Sequence, residues 1–216
     1  MSWLDFLKKE QTIEAIVPVE PVRLGIPLFP LSTVLFPGGV LSLKVFEQRY
    51  LDMAAACMKD HAPFGVCLIA SGKEVGETAV PHTVGTMAYI DHGDMPQLGI
   101  LVLEVHGGQR FRIVSQRTQP DGLLHAEVEL FDEQPRQAVP PAQQALLPLL
   151  RKVASDVGPE KMPEPHDFDD AAWVGYRLTE VMPVQSLAKQ KLLELDDPVS
   201  RLEILFTYLA QRNLVS

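Results

Sequence analysis

Few side chains in this sequence stand at spacings that do chemistry. Ser186 and Lys189 are three apart, which puts a hydroxyl and an amine one helical turn from each other, the spacing of an activated serine. A nucleophile there would also need oxyanion donors and a lysine of depressed pKa. Ser186 follows Pro183 where a helix should start, and an N-cap accepting amide hydrogen bonds accounts for it fully. His92 and Asp94 could supply two metal ligands, but no third accompanies them, and such residues are common in turns. Asp169-Asp170 and Asp196-Asp197 precede helices, where negative charge is favourable, so they read as caps and not as a general acid and base. Arg110 and Arg112 flank Phe111 on a strand, with Arg117 beyond, a stripe suited to stacking on nucleic acid. Glu104, Glu127 and Glu129 on the adjacent strands favour a solvated face with cross-strand ion pairs instead. Gly72-Lys73 is followed by Glu74 and completes no phosphate loop, and GxGxxG, GxSxG and HExxH are all absent. The expectation is a chain with no catalytic residues, no metal site and no cofactor.

The elements that position these groups fall into two textures. Residues 1–16 read as a short amphipathic helix with Trp3, Leu4, Phe6 and Leu7 crowded on one side, and Val17 to Arg23 as an extended linker. From Ile26 to Met53 the chain packs two apolar segments, the Pro27 and Pro30 corners, a Pro37-Gly38-Gly39 turn and a helix start into one unit. The helix from Glu47 to Lys59 carries the stripe Tyr50, Leu51, Ala54, Ala55 and Met58, and Phe64 to Ala70 follows as a buried strand. Four strand candidates come after Thr83, separated at Gly93-Asp94-Met95-Pro96, Gly107-Gly108 and Pro120-Asp121-Gly122, the middle pair a hairpin signal. A polar linker begins at Asp132. Helices are then expected at Ala142 to Val157, kinked at Pro148, at Ala171 to Met182, from Ser186 to near Leu195, and after an Asp197 cap with Pro198 in the first turn. The last carries the stripe Leu202, Leu205, Phe206 and Leu209.

Composition narrows the function classes. A net charge of −9 without any run of Lys or Arg argues against a nucleic-acid surface. Two cysteines, Cys57 and Cys67, with no CxxC pair suit free buried thiols in a reducing compartment. No stretch approaches the roughly 20 apolar residues of a membrane span, and Asp5, Lys8, Lys9 and Glu10 interrupt any signal-peptide core. A cytoplasmic protein is expected.

Several segments carry a family likeness. The run IPLFPLSTVLFPGGVLSLKVFEQRYLDM resembles the start of the Lon-type N-terminal domain, the segment that precedes the ATPase in Lon proteases. Its marks are the Ile26–Leu31 strand, the Leu35–Gly38 turn, and Phe46, Glu47, Arg49 and Tyr50 at the helix start. Phe64-Gly65-Val66, Val84-Gly85-Thr86 and Gln109-Arg110-Phe111-Arg112-Ile113 resemble later strands of that family, and Leu187 to Leu195 with Asp196 and Arg201-Leu202 resembles its helical ending. The likeness covers roughly residues 24–212 in the right order.

The resemblance implies an α+β protein in which a PUA-like antiparallel β-barrel subdomain is followed by a C-terminal α-helical bundle. That agrees with a division into residues 1–23, a β-rich part 24–135 and a helical part 136–216. It also implies a non-enzymatic domain that recognises protein or peptide segments, an adaptor or chaperone-like binder, with homo-oligomer formation compatible. A Lon protease would continue past Ser216 into ATPase and Ser-Lys peptidase domains, so peptidase activity is not expected, and Ser186 and Lys189 do not match that dyad. Pro37, Gly38, Arg49 and Tyr50 mark the expected neighbourhood of a peptide groove. The alternative is a small-ligand or RNA-binding module of the PUA-like type, against which the acidic charge weighs.

Overall fold

The structure, a computed structural model, describes residues 23–76 and 79–215. The expected helix over 1–16 lies outside the described residues. Strand β1 (Arg23–Leu31) pairs antiparallel with β7 (Leu124–Leu130) over its first six residues and parallel with β3 (Phe64–Ser71) over its last four, sharing Leu28. Pro27 and Pro30 each lie where β1 has a single strand neighbour, the place where a missing N–H disrupts a sheet least. From β7 the pairing passes to β6 (Ile100–Thr118), to β5 (Val84–Gln97) and to β3, which returns it to β1, so the pairings of five strands close into a ring. Short β4 (Val80–Pro81) pairs with the end of β3. Strand β2 (Val40–Val45) stands outside the ring and, among the described residues, pairs only with the first part of β6.

Two turn expectations fail in the same way. Gly107-Gly108 does not end a hairpin but lies inside the 19-residue β6. Gly107 is needed because a Cβ there would collide with the Phe36 carbonyl, and Gly108 because the Tyr89 ring lies against it. Gly93-Asp94-Met95-Pro96 likewise continues β5, with Gly93 opposite Leu103 and Asp94 opposite Val102; the turn comes later, at Gly99, with φ +80°. His92 and Asp94 are therefore exposed strand residues, and no group of three His, Cys, Asp or Glu that could hold a metal occurs among the described residues.

Helix α1 (Gln48–Asp60) covers a core of Phe29, Leu31, Leu43, Val45, Phe64, Leu101 and Leu103. Its buried face is Arg49, Tyr50, Met53, Ala54 and Cys57, so the expected stripe is rotated: Ala55 and Met58 are exposed and Arg49 is not. A second cluster, centred on Leu28, Met87, Phe111 and Val128, fills the ring. Beyond residue 135 four helices build a third core around Leu146, Leu150, Val174, Leu202 and Leu205: α2 (Leu146–Val157), α3 (Ala171–Val181), α4 (Ser186–Glu194) and α5 (Pro198–Ala210). Helix α2 starts four residues later than expected, so Pro148 stands in its first turn, where no amide donor is required, and kinks nothing. Val34, Phe36, Leu68 and Val84 meet Tyr176 and Leu193 in a smaller cluster that joins sheet to helices. Cys57 and Cys67 are buried free thiols, and burial raises the pKa of both. The architecture is an α+β arrangement of a largely antiparallel sheet and five α-helices among the described residues.

Candidate functional site

The turn that leads into β2 is held from outside. Gly38 takes φ +68°, a left-handed conformation that a side chain disfavours. Its N–H donates to the Gly107 carbonyl (2.6 Å), and the Gly107 N–H donates to the Gly39 carbonyl (2.8 Å). The guanidinium of Arg177, in α3 and only 1% exposed, donates to the carbonyls of Pro37 (2.7 Å) and Gly38, and to the Glu180 carboxylate (3.0 Å). Glu180 in turn packs so closely on Gly39 that any Cβ there would strike the carboxylate. Burial pushes the Glu180 carboxyl up from 4.5 to about 7, against the opposing pull of Arg177 and Lys189. Burial likewise lowers the pKa of Arg177. The apolar turn is thus clasped by an arginine–glutamate pair one helical turn apart on α3.

The serine and lysine of the Ser-Leu-Ala-Lys segment belong to the same junction. The Ser186 hydroxyl donates to the Ser32 carbonyl (2.9 Å), and the Lys189 ammonium donates to the Glu180 carbonyl (2.7 Å). Gln185, not Ser186, is the α4 N-cap residue, and it makes no side-chain cap bond. The expected capping role of Ser186 is therefore replaced by a tie between α4 and the loop before the turn. Asp170 and Asp197 do cap, accepting from Trp173 N–H (2.9 Å) and Ser200 N–H (2.8 Å). Asp196 instead pairs with Arg110 (2.9 Å). Arg110 is not on a solvated face: it is 5% exposed and donates to the Leu193 (2.7 Å) and Leu195 (3.1 Å) carbonyls. Arg112 is exposed, as expected.

What the clasp positions is a strand edge. The Gly107–Gly39 bond sets the phase of the antiparallel β2–β6 ladder, in which bonded and non-bonded pairs alternate. Leu41, Leu43 and Val45 therefore turn their backbone groups to β6, and Val40, Ser42 and Lys44 turn theirs outward. No strand pairs with that edge among the described residues. A groove runs along it in two connected parts, both touching Thr33 and Ser42. One part, of about 290 Å³, has an apolar floor of Phe29, Leu31, Leu43 and Tyr50, with Phe46 and Val75 at its rim. The other, of about 790 Å³, runs from Val40 and Leu41 to Glu180, Val181 and Lys189 on the helices.

The four residues expected near a groove separate into three places. Tyr50 lines the first part, stacked on Phe29 at 4.1 Å between ring centres. Arg49 turns the other way: it lies over the Tyr50 ring, donates to the Gly122 carbonyl (3.0 Å) and to Glu47 (2.9 Å), and lines a separate cavity with Asp52 and Met53. Pro37 and Gly38 line neither part of the groove and instead hold the turn that delivers β2. Residues that sequence reasoning passed over are Arg177, Glu180, Thr33 and Ser42. For the first two a signal existed, namely an Arg and a Glu three apart inside an otherwise apolar helix.

Comparison with known proteins places this arrangement. The structure of a Lon N-terminal domain protein from Xanthomonas campestris superposes with a TM-score of 0.72 at 36% identity, over 86% of this chain and 98% of that one. The N-terminal domain of the Lon protease of the Mycobacterium avium complex shares the fold, with a TM-score of 0.61 at 18% identity, over 87% of this chain and 98% of that one. A Lon protease of Anaeromyxobacter dehalogenans (strain 2CP-C) is 29% identical over 160 residues, 73% of this chain but 18% of that protein, so the chain spans under a fifth of that relative's length. A model of the substrate-binding domain of the ATP-dependent protease La (LON) matches residues 25–211. The chain belongs to the Lon substrate-binding domain family.

Proposed function

We propose that this protein recognises exposed segments of other proteins in the groove along β2, as an adaptor or chaperone-like binder, and catalyses no reaction itself. The carrying observation is that the substrate-binding family covers residues 25–211 while an apolar groove lies open beside a strand that has no outer neighbour among the described residues. Aromatic and aliphatic floors of this kind, beside an exposed sheet edge, are a recurrent way of holding extended peptides. The closed ring of strand pairings supports reading residues 24–135 as a PUA-like barrel, and the separate core of α2 to α5 supports reading 136–216 as a helical bundle. Free buried thiols support a cytoplasmic setting.

Fluorescence anisotropy with a permanently unfolded, carboxymethylated protein tests the reading. Saturable binding is expected, weakened at least tenfold by Thr33→Arg, which fills the groove where its two parts meet. Equal affinity for folded and unfolded probes, or binding indifferent to Thr33→Arg in a protein of unchanged melting temperature, would overturn it.

A further inference from the structure

An uncovered sheet edge is a liability that folded proteins usually blunt with charge, proline, a bulge or a covering element. Among the described residues no strand covers the outer edge of β2; the strand holds no proline, and of its outward residues only Lys44 is charged. Val40, Ser42 and Lys44 point three N–H groups and three carbonyls into the groove, a ladder waiting for a partner. Beside the ladder, Tyr50 and Phe29 form a stacked floor, and Phe46 and Val75 are 51% and 52% exposed. A strand laid there places alternate side chains on that apolar surface and the others toward solvent. Charge is unequal along the groove. At the helical end Asp91, Glu104 and Glu160 outnumber Lys161 and Lys189, and the Lys189 ammonium is already bound to a carbonyl.

From these observations we infer that β2 captures its ligand by strand addition: an extended segment, apolar at alternate positions and cationic toward its C-terminus, pairs antiparallel with Val40–Lys44. The direction follows from the geometry. Antiparallel pairing is slightly the more stable, and it carries the C-terminal end of the ligand toward Val40 and the carboxylates. The Arg177–Glu180 clasp holds the turn before Val40, so the edge is presented preformed and its ordering opposes binding little. The inference rests on the peptide-recognition reading and goes further in naming the backbone of β2 as the recognition element.

The test uses a fluorescein-labelled peptide of alternating valine and serine ending in two lysines, titrated against the full chain. Two N-methylated forms carry the methyl groups on one or the other alternate set of residues. One form should lose binding at least tenfold while the other keeps it, since an added strand offers β2 only every second amide. Ser42→Pro, which removes an outward N–H and leaves the β6 ladder intact, should weaken binding to a similar degree at unchanged melting temperature. Replacing the two lysines by glutamates should weaken binding severalfold at low salt. Equal tolerance of both N-methylated forms would overturn strand addition while leaving groove binding standing. Should Ser42→Pro fail to fold, the pair of N-methylated peptides still decides. If no arm binds, including the unfolded protein probe, both readings fall together.

Discussion

Glu180 sits against one cation and has a second, Lys189, nearby, yet keeps its proton to about pH 7 because burial outweighs their attraction. The unfolded chain releases that proton near 4.5, so between about 4.5 and 7 the folded state binds more protons than the unfolded one. Stability from this group is therefore present at low pH and lost as pH rises through the window. Thermal melts of the wild type should show a falling contribution from pH 5 to pH 7.5. Glu180→Gln should flatten that dependence, because the amide oxygen can still accept from Arg177 and no longer ionises. A variant that melts with the wild-type pH slope would show that the carboxyl of Glu180 is solvated and freely ionised in the clasp.

At the scale of elements, the turn before β2 and the crossing of β6 depend on two glycines with different surroundings. At Gly107 an added methyl meets the Phe36 backbone carbonyl, which cannot move without shifting the turn. At Gly39 it meets chiefly the far end of the Glu180 side chain, which can swing aside. Gly107→Ala should cost roughly 2 kcal/mol or more and Gly39→Ala about 1 kcal/mol or less, the range expected of overpacking against rigid and yielding neighbours. Urea denaturation of the two variants checks the order, and equal losses would deny the rigid contact. These glycines also mark where local reading ended. Gly107-Gly108 between β-branched runs has the composition of a hairpin, and only the approach of Phe36, far away in the chain, shows why the strand runs through. The bounds of α1 and the Asp197-Pro198 start of α5 were legible because caps and periodicity are local. The burial of Arg49 and Arg110 was not, because the carbonyls they reach belong to other elements. Of the candidate groove, Tyr50 could be read from the motif around it, whereas the open edge of β2 could not, since an edge is defined by which strand fails to arrive.

Across the whole molecule, sheet and helices are joined through the inside and not merely laid side by side. Phe36, Val34, Leu68 and Val84 pack on Tyr176 and Leu193, and polar ties cross the same boundary: Arg110 to the Leu193 carbonyl, Gln190 to the Val84 carbonyl (3.0 Å), Arg177 to the turn. If the halves parted, water would replace the partner of each of these donors, so each bond contributes about 0.5–1.5 kcal/mol net to the junction on top of the apolar exposure. Separation before unfolding is thus disfavoured, and the two parts should melt as one unit although each has its own core. Leu193→Ala is the sharp test, since the side chain is 1% exposed within the joining cluster. It should lower stability by about 2–5 kcal/mol and shift the near-ultraviolet signal of Trp173, in the helical part, together with amide-exchange protection of β6, in the sheet. Coincident transitions in wild type and variant establish the coupling. A variant in which the helical signal melts first while β6 stays protected would show two independent units, and the clasp on β2 would then be a contact that opens without unfolding the strand it holds.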